Sequence, residues 1–196
     1  MNRNKKILET VELAMLIALV VVLQLISAII PPIGGTVSIT LTLVPVVVGA
    51  ILFGKKGGIC LGTAFGVIVL LNCITGLDIG GSILWNSNPF FTALICLVKG
   101  IAAGFVPALV YSLFKGKKPY FSALMSALVA PIMNTGLFIC GMILFFMDTL
   151  SAWAGGSNVV IYVLFVLAGT NFLVELLINV ILTPTIVRIV NVVKRK

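Results

Sequence analysis

The sequence predicts an all-α integral membrane protein. Six transmembrane helices form one compact bundle, residues 1–196 make a single membrane domain, and both termini are cytoplasmic. Three observations carry this expectation. First, 61% of the 196 residues are hydrophobic and only 9% are charged, whereas a soluble domain is about half apolar. Second, mean hydropathy is +1.28. Third, apolar runs recur that are long enough to cross a hydrocarbon core of ~30 Å, which takes about 20 helical residues.

The spans are expected at 8–30, 36–53, 57–75, 89–114, 120–147 and 159–187. The first follows MNRNKK; its apolar run is too long for a signal-peptide core and no small-x-small cleavage site follows it, so it is expected to be retained. Charge then orders the rest. Arg3, Lys5 and Lys6 precede span one, and Lys55 and Lys56 separate spans two and three. Lys115, Lys117 and Lys118 separate spans four and five, and Arg188, Lys194, Arg195 and Lys196 follow or close span six. With six spans all these points share one side, which the positive-inside rule makes cytoplasmic. The opposite loops carry Asp78 and Asp148 and no basic residue. Twelve of the thirteen basic residues are thereby explained, and Lys99 is the exception.

The same residues exclude several function classes. A formal net charge of +8 would suggest nucleic acid in a soluble protein, but here the cations lie in short loops and tails, and no nucleic-acid partner is expected. Cys60, Cys73, Cys96 and Cys140 are scattered singly and there is no histidine. A zinc site needs grouped Cys or His ligands, so no metal is expected, and His-assisted nucleophilic catalysis is ruled out. GAILFGKK, residues 49–56, matches GxxxxGK but puts Lys56 where a P-loop needs Ser or Thr. It also ends a membrane span rather than following a soluble strand. No enzyme activity and no cofactor are expected, and ATP hydrolysis, where needed, belongs to another polypeptide.

Lys99 stands near the middle of NPFFTALICLVKGIAAGFVPALVY. At ~1.5 Å per residue it lies about 24 Å from Lys115. Asn134 in span five is equally far from Lys118. Glu175 in span six is about 20 Å from Arg188, and Asn171 about 26 Å, by the same rise. Three helices thus carry polar groups at similar depth. Asn171, Glu175 and Asn179 are spaced by four and share one helix face. A charge in lipid costs at least ~2.5–3.5 kcal/mol, so such groups face protein or a wet cavity. Two arrangements fit: a buried Lys99–Glu175 ion pair that fixes helix register, or a cavity lined by Lys99, Asn134, Asn171 and Glu175 and open toward the outer loops. Pro131, one turn before Asn134, frees a backbone carbonyl in either case.

The outer loops add further candidates. PPIGGTVS is stiff and then supple; the second loop holds Trp85, Asn86 and Asn88, and the third Trp153 and Asn158. The tryptophans fit interfacial anchors or the wall of a ligand site. Small residues spaced by four, at Gly62/Gly66, Gly100/Gly104 and Ala123/Ala127, allow close helix packing within the bundle. Ala14 and Ala18 form a similar stripe on the otherwise bulky first span, where it could receive a partner subunit.

These features together resemble the substrate-binding S-component of energy-coupling factor (ECF) vitamin transporters. The likeness covers nearly the whole chain and rests on ELAMLIALVVVLQL, LVPVVVGAILFGKKGGICLGTAFG, NPFFTALICLVKGIAAGF and APIMNTGLFICGMILFF. It implies a multi-pass protein of a bacterial plasma membrane. Such a subunit captures a vitamin from outside and works with an ECF transmembrane subunit and two ATPase subunits. It implies that Ala14 and Ala18 dock to the transmembrane partner. It also implies that helices four to six and the outer loops, hence Lys99, Asn134, Asn171, Glu175, Trp85, Asn88 and Trp153, supply the substrate contacts. A lysine suits a carboxylate and asparagines suit hydroxyl and amide groups. Pantothenate carries all three, and the fourth and fifth helices look most like pantothenate-type members. Riboflavin, folate, nicotinate or another vitamin remains open. A free-standing carrier coupled to protons through Glu175, and a non-transporting scaffold or sensor, are the alternatives.

Overall fold

The computed structural model describes residues 3–29, 41–114 and 119–194, with the side chains of 3–5, 29, 167, 168, 170, 171 and 194 outside that description. Helix α1 is Arg3–Ile29, α2 Leu43–Thr75, α3 Ile79–Ser87, α4 Pro89–Leu113, α5 Pro119–Phe145, α6 Met147–Ala154 and α7 Val159–Tyr162. A π-helical stretch, Val163–Phe172, then leads without a break into α8, Leu173–Lys194. By length and composition α1, α2, α4, α5 and α8 can each cross a membrane. The PPIGGTVS loop, the start of the expected second span and Lys115, Lys117 and Lys118 lie outside the described residues.

Where the sequence suggested two spans, 36–53 and 57–75, one helical run is interrupted at Gly54, whose φ of 66° and ψ of −154° are not helical. Only glycine reaches such angles readily. The run folds back there: a Cβ at Gly57 would lie 3.2 Å from the Gly49 carbonyl oxygen, a contact that residues eight apart in one straight helix, ~12 Å along the axis, could not make. The two legs of α2 are therefore neighbours, and Lys55 and Lys56 sit at their turn.

The second leg of α2 approaches α4 closely. Gly58, Gly62 and Gly66 face Cys96, Gly100 and Gly104 of α4. A Cβ on Gly66 would come within 2.7 Å of the Cys96 carbonyl oxygen, and one on Gly100 within 2.6 Å of the Gly62 carbonyl oxygen. With no side chains between them the two backbones touch, as small-residue seams in membranes permit. The seam continues through the buried Val69, Cys73 and Cys96.

Around this pair, α1 leans on α2, α5 packs on α4, and α8 packs on α5 and α2. Toward the basic end the first leg of α2 meets Ala123, Ala127 and Ala130 of α5 and Ile186 and Val190 of α8. Toward the acidic end Leu84, Ile95, Met142, Phe146 and Leu150 form a second core. Two polar ties cross helices in these layers. The Thr42 hydroxyl donates to Gln24 Oε1 at 2.9 Å, and the Ser126 hydroxyl to the Pro107 carbonyl at 2.9 Å. Helix α1 is the most peripheral: only 17% of its most apolar window is buried, against 50% for α2.

The loops at the acidic end contain two short helices that the sequence reading left as loop. Asp78 caps α3 by accepting from the Gly81 N–H at 3.1 Å, and Gly155 ends α6 in the left-handed conformation. Asn88 caps α4, accepting from the Phe91 N–H at 3.2 Å, with Pro89 in the first turn, the preferred pairing for a helix start.

The seam makes a direct prediction. Gly62→Ala drives a Cβ into the Gly100 carbonyl oxygen and should cost about 1–3 kcal/mol, seen as a lower midpoint of thermal unfolding in detergent. Gly136→Ala, with nothing within 4 Å, should leave the midpoint unchanged or raised.

Candidate functional site

Of the four polar groups expected at similar depth, Asn134 and Glu175 meet directly. The Asn134 amide nitrogen donates to both oxygens of Glu175, at 3.2 and 3.5 Å, tying α5 to α8. The Thr135 hydroxyl donates to the same carboxylate at 3.3 Å. All three side chains are buried: Asn134 is 4% exposed, Thr135 8% and Glu175 2%. A carboxylate in such surroundings requires donors, since an ionised group without them bears the full desolvation cost.

Below Glu175, the Asn179 amide nitrogen donates to the Glu175 carbonyl at 2.8 Å, and the Thr183 hydroxyl to the Asn179 carbonyl at 2.8 Å. The polar stripe on α8 thus bonds along its own helix as well as across to α5. Above Glu175 lies the π-helical stretch, a geometry frequent at functional sites. It carries Asn171, whose side chain lies outside the described residues.

Lys99 takes a different course. Its Nζ sits 5.1 Å from the centroid of the Phe138 ring, within the range of a cation–π contact. The side chain is half-buried. The described hydrogen bonds to Glu175 come from Asn134 and Thr135, not from Lys99. Phe138 lies one turn beyond Asn134 on α5, so ammonium, ring, amide and carboxylate follow one another along one face of that helix. An aromatic face attracts a cation without offering a lone pair for its N–H donors. The head group therefore retains its capacity to bind a carboxylate.

The loop candidates stand at the acidic end. Trp85 is half-buried against the cluster of Val69, Cys73 and Cys96. Trp153 is half-buried against that of Ile95, Met142 and Phe146. Asn88 commits its oxygen to the cap of α4, which accounts for it without a ligand. Phe91 stacks on Phe145, centroids 4.2 Å apart, and joins the starts and ends of α4 and α5 beside these loops. Ala14 and Ala18 are exposed on α1, flanked by exposed Val11, Met15, Leu19 and Val22.

Two residues of the layer, Thr135 and Phe138, were not singled out from sequence, and neither was Asn72 on α2. Asn72 is 2% exposed and its Nδ2 has no hydrogen-bond partner. An asparagine in an apolar span is a legible signal, and Asn72 could have been found by it. Threonine and phenylalanine are ordinary in membrane helices and give none.

Comparison with known proteins agrees with this architecture. The family profile of the ECF transporter substrate-specific component matches residues 8–187. The chain belongs to that family, and is thus a multi-pass membrane component of a transport system rather than a member of an enzyme family. Among curated proteins it is similar to the pantothenic acid transporter PanT of Lactococcus lactis subsp. cremoris (strain MG1363), at 28% identity over 197 residues, covering 94% of each chain. No solved structure gives a significant match.

If the ammonium over Phe138 receives the ligand's anion, Lys99→Met should weaken binding more than about tenfold, or about 1.4 kcal/mol, in equilibrium titration of the purified protein with pantothenate. The half-buried position allows the variant to fold, which an unchanged thermal midpoint would show. Unchanged affinity would remove Lys99 from the site.

Proposed function

We propose that this S-component captures pantothenate, or a small carboxylate vitamin of the same donor and acceptor pattern, from outside a bacterial plasma membrane. We further propose that it delivers its cargo to an ATP-driven ECF module of one transmembrane subunit and two ATPases. The observation that carries the substrate reading is the layer itself. A lysine held on an aromatic face, one helical turn from a buried Asn–Glu pair, offers a cation for a carboxylate and amide or hydroxyl partners for the rest of the ligand. The full-length similarity to a pantothenic acid transporter supports the same choice. The basic loops support a cytoplasmic placement of both termini.

Partnering is supported by α1. A small-residue stripe that is exposed in the isolated chain, on the helix least covered by the bundle, is what a second membrane subunit would pack against. Ala14 and Ala18 are assigned to that contact, while the polar layer lies among α4, α5 and α8. Binding and docking thereby use separate faces.

Glu175, buried and shared between two helices, also fits a proton-coupled carrier. The two readings separate in proteoliposomes. The importer reading expects pantothenate uptake only with the ECF module and ATP inside; uptake driven by a proton gradient without any ATPase would establish the carrier. Ala14→Trp combined with Ala18→Trp should abolish the ATP-driven uptake and leave pantothenate affinity within about twofold, a difference of about 0.4 kcal/mol. Loss of binding in that variant would mean that the face packs within the subunit.

A further inference from the structure

We propose that Glu175 is a positioning residue: it holds the Asn134 amide by its nitrogen and so turns Asn134 Oδ1 into the acceptor that reads a donor group on the substrate. This rests on the substrate reading above and extends it to the part of the ligand beyond the carboxylate.

An ionised carboxylate only accepts, while an amide has one donor end and one acceptor end. Facing Glu175, the Asn134 side chain has a single favourable orientation, nitrogen toward the carboxylate, and both recorded contacts are of that kind. Thr135 donates to the same group and fixes the carboxylate in turn. The other end of the amide is then settled: Asn134 Oδ1 is buried and has no hydrogen-bond partner. Buried polar atoms are nearly always paired, so an acceptor held in this state is suited to a donor brought by a ligand.

Geometry ties this acceptor to the cation. Asn134 and Phe138 stand one turn apart on α5, about 5.4 Å along the axis, and Phe138 carries the Lys99 ammonium on its ring. The substrate class that satisfies both is a carboxylate with an N–H or O–H donor a few bonds away. An ester or ether of the same shape would leave Oδ1 unpaired. A site built on a hydrogen bond rejects the analogue that lacks it far more strongly than an apolar pocket does. A buried acid thus serves the recognition of an anion indirectly, by orienting an amide.

The test uses the intact purified protein and five probes: pantothenate, pantothenate methylated on the amide nitrogen, each of its two monodeoxy analogues, and its carboxamide. In wild type, removing one of the donors should weaken binding about tenfold or more. In Asn134→Leu and in Glu175→Gln that penalty should fall to about twofold, whereas the penalty for the carboxamide, read by Lys99, should stay at the wild-type value. A Glu175→Gln protein that keeps the full donor penalty would overturn the proposal. So would a wild type indifferent to every donor removal while still rejecting the carboxamide, a result that leaves the anion site standing. A wild type that binds none of the probes would defeat the substrate reading alone. The orientation is then decided without ligand, by the side-chain amide NMR signal of Asn134, assigned by its absence in Asn134→Leu. It should shift on Glu175→Gln; an unmoved signal would refute the clamp.

Discussion

The close approach of α2 and α4 is the constraint on which the rest depends. Gly58, Gly62 and Gly66 meet Cys96, Gly100 and Gly104 backbone to backbone, and a helix packed through glycines on one side has its rotation fixed. Lys99 immediately precedes Gly100, so it points about 100° away from the seam, at 3.6 residues per turn. That direction brings its ammonium over Phe138 of α5. The seam has no chemistry of its own, yet it decides that Lys99 faces protein and not acyl chains.

The polar layer answers to a second constraint, the scarcity of hydrogen-bond partners in a membrane interior. Every donor and acceptor there must be met within the protein or by what the protein binds. Glu175 is met by Asn134 and Thr135, and Asn179 and Thr183 are met along α8. What remains unmatched is specific: an amide oxygen at Asn134, another at Asn179 and an amide nitrogen at Asn72. A scaffold selected only for stability gains nothing from these atoms, because apolar replacements of similar shape would avoid their desolvation. The proposal above gives one of them, Asn134 Oδ1, to a donor on the ligand.

Much of this was legible in the sequence, for identifiable reasons. Apolar runs and basic breaks locate membrane helices because lipid tolerates few alternatives. Lys99, Asn134 and Glu175 stand out because polar groups are costly at that depth. Other features depend on tertiary contact. The glycine pairs were visible at spacing four, but not that Gly62 would meet Gly100. Phe138 and Thr135 carry no signal until Lys99 and Glu175 are placed beside them. The fold-back at Gly54 was legible as a loop from GKKGG, yet the structure keeps helical turns on both sides of a single non-helical residue. Asn88 drew attention as a polar loop residue, while its pairing with Pro89 is the ordinary signature of a helix start. The short helix α3 escaped notice because Gly80 and Gly81 dilute its pattern, and α6 because its eight residues make little more than two turns.

The central claim is that the seam aims the Lys99 ammonium at the Phe138 ring, beside the buried Asn134–Glu175 pair, where we propose that it meets the carboxylate of a small ligand. Mass spectrometry of the small molecules released from gently purified protein tests it most directly, with wild type and Lys99→Met compared side by side. The account predicts a carboxylate-bearing metabolite released from wild type and lost from the variant. Equal release from both, or a cationic metabolite from wild type, would contradict it.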